Sequence, residues 1–139
     1  MLKKSLFFCL IAIAFAACDK KPVKAVGCQS QPCTDLFASV GIRFVDANGN
    51  GLAGVTNFTV LDTRTNQQLH PPSIPVACCG NFVVATDSEK SALSTEGDDL
   101  KVTATDPKTN ITETAIVKVS GGCNCHVQKV AGPDSVVFK

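Results

Sequence analysis

The amino-acid sequence predicts an all-β fold: an antiparallel β-sandwich of about seven strands, stapled by disulfides and preceded by a signal-peptide helix. Three observations predict it. Short segments of residues 28–139 alternate apolar and polar residues, and eight of the 139 residues are cysteines. The same region has no apolar period of 3.6 residues over a useful length, since the best helical candidate, Ser88–Leu93, is too short. Many short strands and several cysteines are typical of a small exported domain.

Residues 1–17 are predicted to be a secretory signal peptide. Met1–Lys4 form a short basic head, and an uncharged run from Ser5 to Cys18 follows it. This run is shorter than the ~20 apolar residues that a membrane-spanning helix requires. A buried N-terminal helix is disfavoured because the run is apolar on every face and then ends in the polar stretch DKKPVK.

The end of this leader carries a more specific pattern, Phe15-Ala16-Ala17-Cys18. It resembles the lipobox of bacterial lipoproteins, in which small residues precede a cysteine. The resemblance implies that the leader is cut before Cys18, that its thiol receives a diacylglycerol, and that the new amine is acylated, for example by palmitate. Phe15 departs from the family, which more often has Leu there. The alternative is an ordinary leader cut nearby, which would leave Cys18 as a free thiol.

The lipobox implies a location in the cell envelope. Two or three acyl chains on one residue anchor firmly, because each buried methylene contributes about 0.8 kcal/mol. Asp19 follows the lipid site; an aspartate there resembles an inner-membrane retention signal of enteric lipoproteins, whereas early acidic residues favour surface display in other gram-negative lineages. We expect a lipid-anchored envelope protein, with the outer membrane preferred and either its periplasmic or its surface face possible.

The mature chain is expected to be a lipid-anchored tether, residues 18–27, followed by one β-sandwich domain, residues 28–139. Loss of Lys3 and Lys4 with the leader brings the 13 basic side chains to 11, against 12 acidic ones. This near-neutral balance, without a basic stripe, argues against nucleic acid as a partner. The expected partners are the membrane, through the N-terminal lipid anchor, and an envelope or extracellular protein. No small-molecule substrate is identifiable.

Strand signals run through the domain, and seven segments are predicted to be strands: residues 40–44, 58–61, 82–85, 100–105, 111–119, 125–130 and 135–138. Asp106–Asn110 is a turn signal between two of them, because Pro107 presets φ and the Asp and Asn side chains bond nearby backbone. Residues 63–81 form the one long irregular segment, and their prolines exclude a central strand. Long loops on rigid sandwiches often bind partners, so we expect a partner surface there.

The stretch DANGNGLAGV, residues 46–55, has two interpretations. Asp46, Asn48 and Asn50 match the first half of a calcium loop, but Asn57 stands where the bidentate Glu belongs. In the second interpretation, the two consecutive Asn-Gly pairs of this stretch favour a hairpin turn. The stretch resembles the D-x-x-G-x-x-L-x-G-V turn of carboxypeptidase-regulatory-like and transthyretin-like domains. That resemblance implies an Ig-like or transthyretin-like β-sandwich, in which this turn links the first two strands, and a non-catalytic or binding role.

Six cysteines remain once Cys9 leaves with the leader and Cys18 is acylated: Cys28, Cys33, Cys78, Cys79, Cys123 and Cys125. An even number in an exported domain predicts three disulfides. If residues 123–125 are extended, their two thiols share one face, whereas adjacent Cys78 and Cys79 point in opposite directions. The adjacent pair is therefore expected not to bond entirely to Cys123 and Cys125. One of its members is expected to reach Cys28 or Cys33.

Two alternative functions stay open. The first is binding of copper or zinc by a cluster of Cys78, Cys79, Cys123, Cys125 and His126, although this spacing fits no structural zinc, haem or thioredoxin motif. The second is a small envelope hydrolase acting through Asp98 or His126, although His126 lies in no known catalytic motif. The main prediction is a non-catalytic protein without a cofactor, whose sandwich is structural or binds another protein.

Overall fold

The computed structural model describes residues 27–29, 31–72 and 80–139. Within them it has eight strands, one short 3-10 turn at Lys90–Ala92 and no α-helix. The strands are β1 Ser39–Val45, β2 Thr56–Asp62, β3 Gln67–Leu69, β4 Asn81–Thr86, β5 Asp98–Thr105, β6 Thr112–Ser120, β7 Gln128–Ala131 and β8 Ser135–Val137. The predicted all-β fold is confirmed. The predicted signal-peptide helix lies outside the described residues, among which no helix is long and apolar enough to cross a membrane.

The strands form two sheets, one with the order β4-β1-β8 and one with the order β3-β2-β5-β6-β7. Their paired neighbours are antiparallel, as predicted, apart from β1 and β8. These two run parallel, with Arg43 opposite Ser135 and Val45 opposite Val137. β8 reaches β1 because the chain leaves β7 in the larger sheet and continues in the smaller one, rather than turning back as a hairpin.

Each of the seven predicted segments overlaps an observed strand, and the differences have local causes. Residues 125–127, predicted to open a strand, belong to a loop that precedes β7. The structure adds β3, which lies inside the segment predicted to be irregular. This strand is only three residues long, and its pairing of Leu69 with Val60 follows a tight turn in which Asn66 has a φ of 56°.

The core lies between the two sheets, and side-chain alternation fills it. Ile42 and Phe44 of β1 are buried, while Gly41 and Arg43 between them are exposed. Phe44 is the largest fully buried side chain. Its ring centroid lies 5.3 Å from that of Phe82, 5.7 Å from that of Phe138 and 6.2 Å from that of Phe58. These aromatic contacts join β1, β2, β4 and the residue after β8, so one side chain links both sheets.

The predicted turn at Asp106–Asn110 is confirmed as the connection of β5 to β6. The Asp106 amide donates to the carbonyl of Ile111 at 2.9 Å, and the Asn110 amide donates to that of Asp106 at 2.8 Å. Asp106 Oδ1 also accepts the amide of Lys108 at 2.9 Å. The two strands pair over eight residue pairs, from Asp98–Val119 to Thr105–Thr112, and form the centre of the larger sheet.

Gly80 occupies a crowded position at the start of β4. Its φ is +72°, and an added Cβ would lie 2.5 Å from the carbonyl oxygen of Phe44 and 2.7 Å from the amide nitrogen of Leu52. The Phe44 amide also donates to the carbonyl of Gly80 at 2.9 Å. Gly49 shares the left-handed conformation, with a φ of +83°, but a Cβ there would meet nothing within 4 Å.

We predict that Gly80→Ala lowers the free energy of unfolding by about 3 kcal/mol, because backbone strain and overpacking add together. Gly49→Ala should lower it by only about 1 kcal/mol, since strain acts there alone. Urea unfolding of both variants measures the difference. Equal losses would show that the close approach at Gly80 is unimportant.

Candidate functional site

Two disulfides fasten the N-terminal arm, residues 27–38, to the loop of residues 121–127, here called the CNCH loop. Cys28 bonds to Cys123 and Cys33 bonds to Cys125, with Cα–Cα distances of 5.1 and 5.3 Å. These distances are ordinary for disulfides. Because the bonds join residues 95 and 92 positions apart, they tie the start of the domain to the end of its longest hairpin.

Hydrogen bonds reinforce the same contact. Gln31 Nε2 donates to the carbonyl of Cys123 at 2.8 Å, and Thr34 Oγ1 lies 2.9 Å from His126 Nε2. On the other side of the loop, Lys90 Nζ donates to the carbonyl of Cys125 at 3.3 Å. The arm and the loop are therefore joined along several residues rather than at the sulfur atoms alone.

Glycines let the CNCH loop lie close to the segment around the 3-10 turn. A Cβ on Gly121 would lie 2.6 Å from the carbonyl oxygen of Lys90, and Gly122 has a φ of +58°. The Gly122 amide donates to that same carbonyl at 2.7 Å, and Asn124 Nδ2 donates to the carbonyl of Thr95 at 3.0 Å. Backbone and side-chain hydrogen bonds thus hold the loop in place, with Cys123 and Cys125 within bonding distance of the arm.

Asp87 connects the arm, the CNCH loop and β4. Its Oδ2 accepts the amide of Ala38 at 2.8 Å and lies 2.8 Å from His126 Nδ1, while its Oδ1 accepts the amide of Val127 at 2.8 Å. Burial raises the pKa of Asp87, but the hydrogen bonds from Ala38, His126 and Val127 lower it further than burial raises it. The net shift is downward, so the carboxylate stays ionised and joins three segments of the chain.

Thr34, His126 and Asp87 form a hydroxyl–imidazole–carboxylate chain. Since a carboxylate only accepts, His126 Nδ1 donates to Asp87, while His126 Nε2 lies 2.9 Å from the Thr34 hydroxyl. The order of the groups is that of a nucleophilic triad. However, Thr34 lies on the exposed arm and Asp87 also receives two backbone amides. These hydrogen bonds therefore hold the arm against the sandwich. The sequence did not indicate Asp87, because no motif surrounds it.

The pairing of the cysteines corrects one prediction. The expectation that Cys78 or Cys79 reaches Cys28 or Cys33 is wrong, because the latter two bond to the CNCH loop. The expectation that the adjacent pair does not bond entirely to Cys123 and Cys125 is confirmed. Cys78 and Cys79 lie outside the described residues, as does Cys18.

The structure removes three members from the suggested metal cluster. Cys123 and Cys125 are oxidised in disulfides, and both ring nitrogens of His126 have hydrogen-bond partners. Among the residues that the structure describes, no group of three or more His, Cys, Asp or Glu side chains is placed to hold a metal ion. Binding by this cluster would require the staples to be reduced first.

Asp98, the other residue suggested for a hydrolase, is buried in an ion pair. Arg64 Nε donates to Oδ1 at 2.6 Å and Arg64 Nη2 donates to Oδ2 at 2.8 Å, while the Ser94 amide donates to Oδ2 at 2.8 Å. Burial raises the pKa of Asp98, but the hydrogen bonds from Arg64 and Ser94 outweigh it and lower the pKa overall. Asp98 thus holds Arg64, in the turn between β2 and β3, and the carboxylate that hydrogen-bonds to His126 is that of Asp87.

The loop that resembles a calcium site satisfies its own carboxylate. Asp46 Oδ1 accepts the amides of Asn48 and Asn50, each at 2.9 Å, and Oδ2 accepts Asn50 Nδ2 at 3.1 Å. The side-chain and then the backbone hydrogen bond from Asn50 are the main causes that lower the pKa of Asp46. This is the pattern of an Asx turn. The loop of residues 46–55 links β1 to β2, the first two strands, as its resemblance to the turn of transthyretin-like domains implied.

A separate cavity of about 440 Å³ lies where the edges of the two sheets meet, between β2, β3 and β4. Its apolar lining includes Phe58, Val60, Leu69, Phe82 and Val83. His70, Pro71 and Pro72, which follow β3, also line it. These three belong to the segment in which a partner surface was predicted, whereas residues 73–79 of that segment lie outside the described residues.

Comparison of the chain with protein-family models, with curated proteins and with solved structures found no significant match. The functional argument therefore depends on the sequence and on the geometry described above.

We predict that the two staples are energetically coupled. Replacing either pair, Cys28→Ser with Cys123→Ser or Cys33→Ser with Cys125→Ser, leaves the other bond to close the long loop. The two disulfides together close a small ring of about nine residues, 28–33 and 123–125, and losing one disulfide opens only this ring. The free energy of unfolding should therefore fall by about 2.5 kcal/mol.

Replacing all four cysteines opens the long loop as well, and the total loss should be about 7 kcal/mol. Urea unfolding of the three variants measures these losses. A quadruple variant that is unfolded without urea agrees with this expectation. A total that merely equals the sum of the two pairs, about 5 kcal/mol, contradicts it.

We further predict an acid-dependent contribution from Asp98. Because folding lowers its pKa, the stabilisation is complete above about pH 4, the unfolded value, and is lost as the pH falls through the folded pKa. Asp98→Asn should lower the free energy of unfolding by about 2 kcal/mol near pH 7 and make its decline below pH 4 shallower. Asp99→Asn, at the exposed next residue, is the control. Unfolding followed from pH 7 to pH 2 that gives parallel curves for both variants would contradict this.

Proposed function

We propose that this protein is a lipid-anchored, non-catalytic component of the bacterial cell envelope, with a β-sandwich that binds another protein or has a structural role. The observation that carries the proposal is the pair of disulfides between the N-terminal arm and the CNCH loop. Disulfides persist in oxidising compartments outside the cytosol. The leader and the lipobox-like sequence before Cys18 support the same compartment.

The geometry suits a domain that is held by its N-terminus. Cys18, the proposed lipid site, precedes Cys28 by ten residues. Tension on this tether reaches Cys28 and passes through its disulfide to Cys123, just beyond β6 in the larger sheet. The arm cannot peel away from the sandwich while the bonds are intact. Residues 18–27 are then the tether and residues 28–139 the domain, which we place among sandwiches of the transthyretin-like or Ig-like kind.

The cavity between β2, β3 and β4 is the surface that we assign to a protein partner. Its size falls in the range of sites that hold a small ligand or an inserted side chain, and its lining is mainly apolar. We expect the partner, an envelope or extracellular protein, to place an apolar side chain against Phe58 and Phe82, whose ring centroids lie 5.6 Å apart. Tryptophan, tyrosine and leucine are suitable groups, since large side chains in pockets dominate binding energy.

Hydrolysis is the second candidate function, and one observation favours it, the Thr34–His126–Asp87 chain. Thr34→Val separates the two candidates. A hydrolase would lose turnover of activated esters with this variant, whereas the binding protein has no such turnover to lose.

The intact mass of the protein, purified from envelopes in detergent, tests the main proposal. We predict a chain that begins at Cys18, carries a diacylglycerol and an amide-linked acyl group, and lacks at least four protons because of the two described disulfides. The Cys18→Ser variant should retain an uncut leader and lack the lipid. A native chain without acyl mass would contradict the anchor, and fully reduced cysteines would contradict the compartment.

A further inference from the structure

Two adjacent apolar side chains on the N-terminal arm face solvent. Leu36 is 76 % exposed and Phe37 is 67 % exposed, more than any other large hydrophobic residue that the structure describes. The next are Val130 at 52 % and Ile116 at 46 %, which lie on separate strands of the larger sheet. Exposing two large apolar side chains side by side is unfavourable in water, so the pair requires an explanation.

The chain on both sides of this pair is fixed. The disulfide from Cys33 to Cys125 lies three residues before Leu36. Directly after Phe37, the Ala38 amide donates to Asp87 Oδ2 at 2.8 Å, and the Ala38 carbonyl accepts the Asp87 amide at 3.1 Å. The short stretch between these two attachments is therefore held on the sandwich and presents its apolar side chains outward.

The chain that precedes the described arm indicates what covers the pair. Cys18 lies nine residues before Gly27, so the two are separated by at most about 32 Å of fully extended chain. Three lysines of that tether, Lys20, Lys21 and Lys24, favour the anionic surface of a membrane. A lipid on Cys18 thus keeps this end of the sandwich next to the bilayer.

We propose that Leu36 and Phe37 insert into the membrane surface and fix the orientation of the sandwich on it, with the stapled end towards the lipid. The inference rests on the proposed acylation of Cys18. The acyl chains hold the protein at the membrane, so Leu36 and Phe37 are exposed to a high local concentration of lipid. Their insertion therefore needs only enough free energy to favour one orientation of the sandwich over the others. The end of β1 near Val45 then faces away from the bilayer, towards a partner.

The lack of tryptophan and tyrosine in this chain provides a sharp test. Phe37→Trp introduces a single indole at the proposed contact. Val137→Trp is the matched control, because Val137 is 37 % exposed and pairs with Val45 at the far end of β1, about 20 Å from the arm. Each acylated variant is placed in phosphatidylcholine–phosphatidylglycerol vesicles, with or without bromine on the acyl chains, and its acyl mass is measured on the same sample.

We expect the emission of Phe37→Trp to shift to the blue in vesicles and to be quenched by brominated lipid several-fold more than that of Val137→Trp. Replacing Leu36 by Ser in the Phe37→Trp protein should reduce both effects, while its thermal unfolding stays close to that of the parent. Equal quenching at both positions in an acylated sample would overturn the insertion and leave the anchor intact. Emission that shifts only with rising protein concentration, without lipid, would assign the pair to self-association and also overturn it. A sample without acyl mass would overturn the anchor, and the insertion with it.

Discussion

The covalent closure of the N-terminal arm onto the CNCH loop is the constraint on which the other features of this protein depend. Without the two disulfides, residues 27–38 would be a polar and partly apolar extension with few contacts to the core. With them, Thr34 meets His126, Ala38 meets Asp87, and the pair Leu36 and Phe37 acquires a defined position. The hydrogen bonds and the staples support each other, because each orders the groups that the other joins.

The sandwich gives these staples a rigid base. Val117 and Val119 at the end of β6 are fully buried, and Val127 is buried just after the CNCH loop. The loop is therefore bounded on both sides by core residues and cannot move without disturbing the packing. In the proposed anchored protein, a tether joined to this loop would transmit force to the hairpin of β5 and β6 in the larger sheet.

Alternation predicted most of the fold because the side-chain period of a strand is a local property. Leu100, Val102 and Ala104 are buried with hardly any exposure, as their spacing indicated. β3 escaped prediction because Gln67–Leu69 is too short to show a period and exists only through its pairing with β2. Of the candidate site, the cysteines and His126 could be selected from the sequence. Asp87 could not, because an aspartate in a turn is common and its three partners come from distant segments.

By itself the sequence determined the class of the fold, the approximate positions of seven of the eight described strands, the turn at Asp106–Asn110 and a number of cysteines that implies disulfides. Tertiary structure decided which cysteines pair, which carboxylate meets His126 and where the apolar side chains of the arm are held. The reason is physical. Periodicity and turn chemistry act over a few residues, whereas the contacts of the arm and His126 join positions 39 to 95 residues apart and form only when the two sheets are packed.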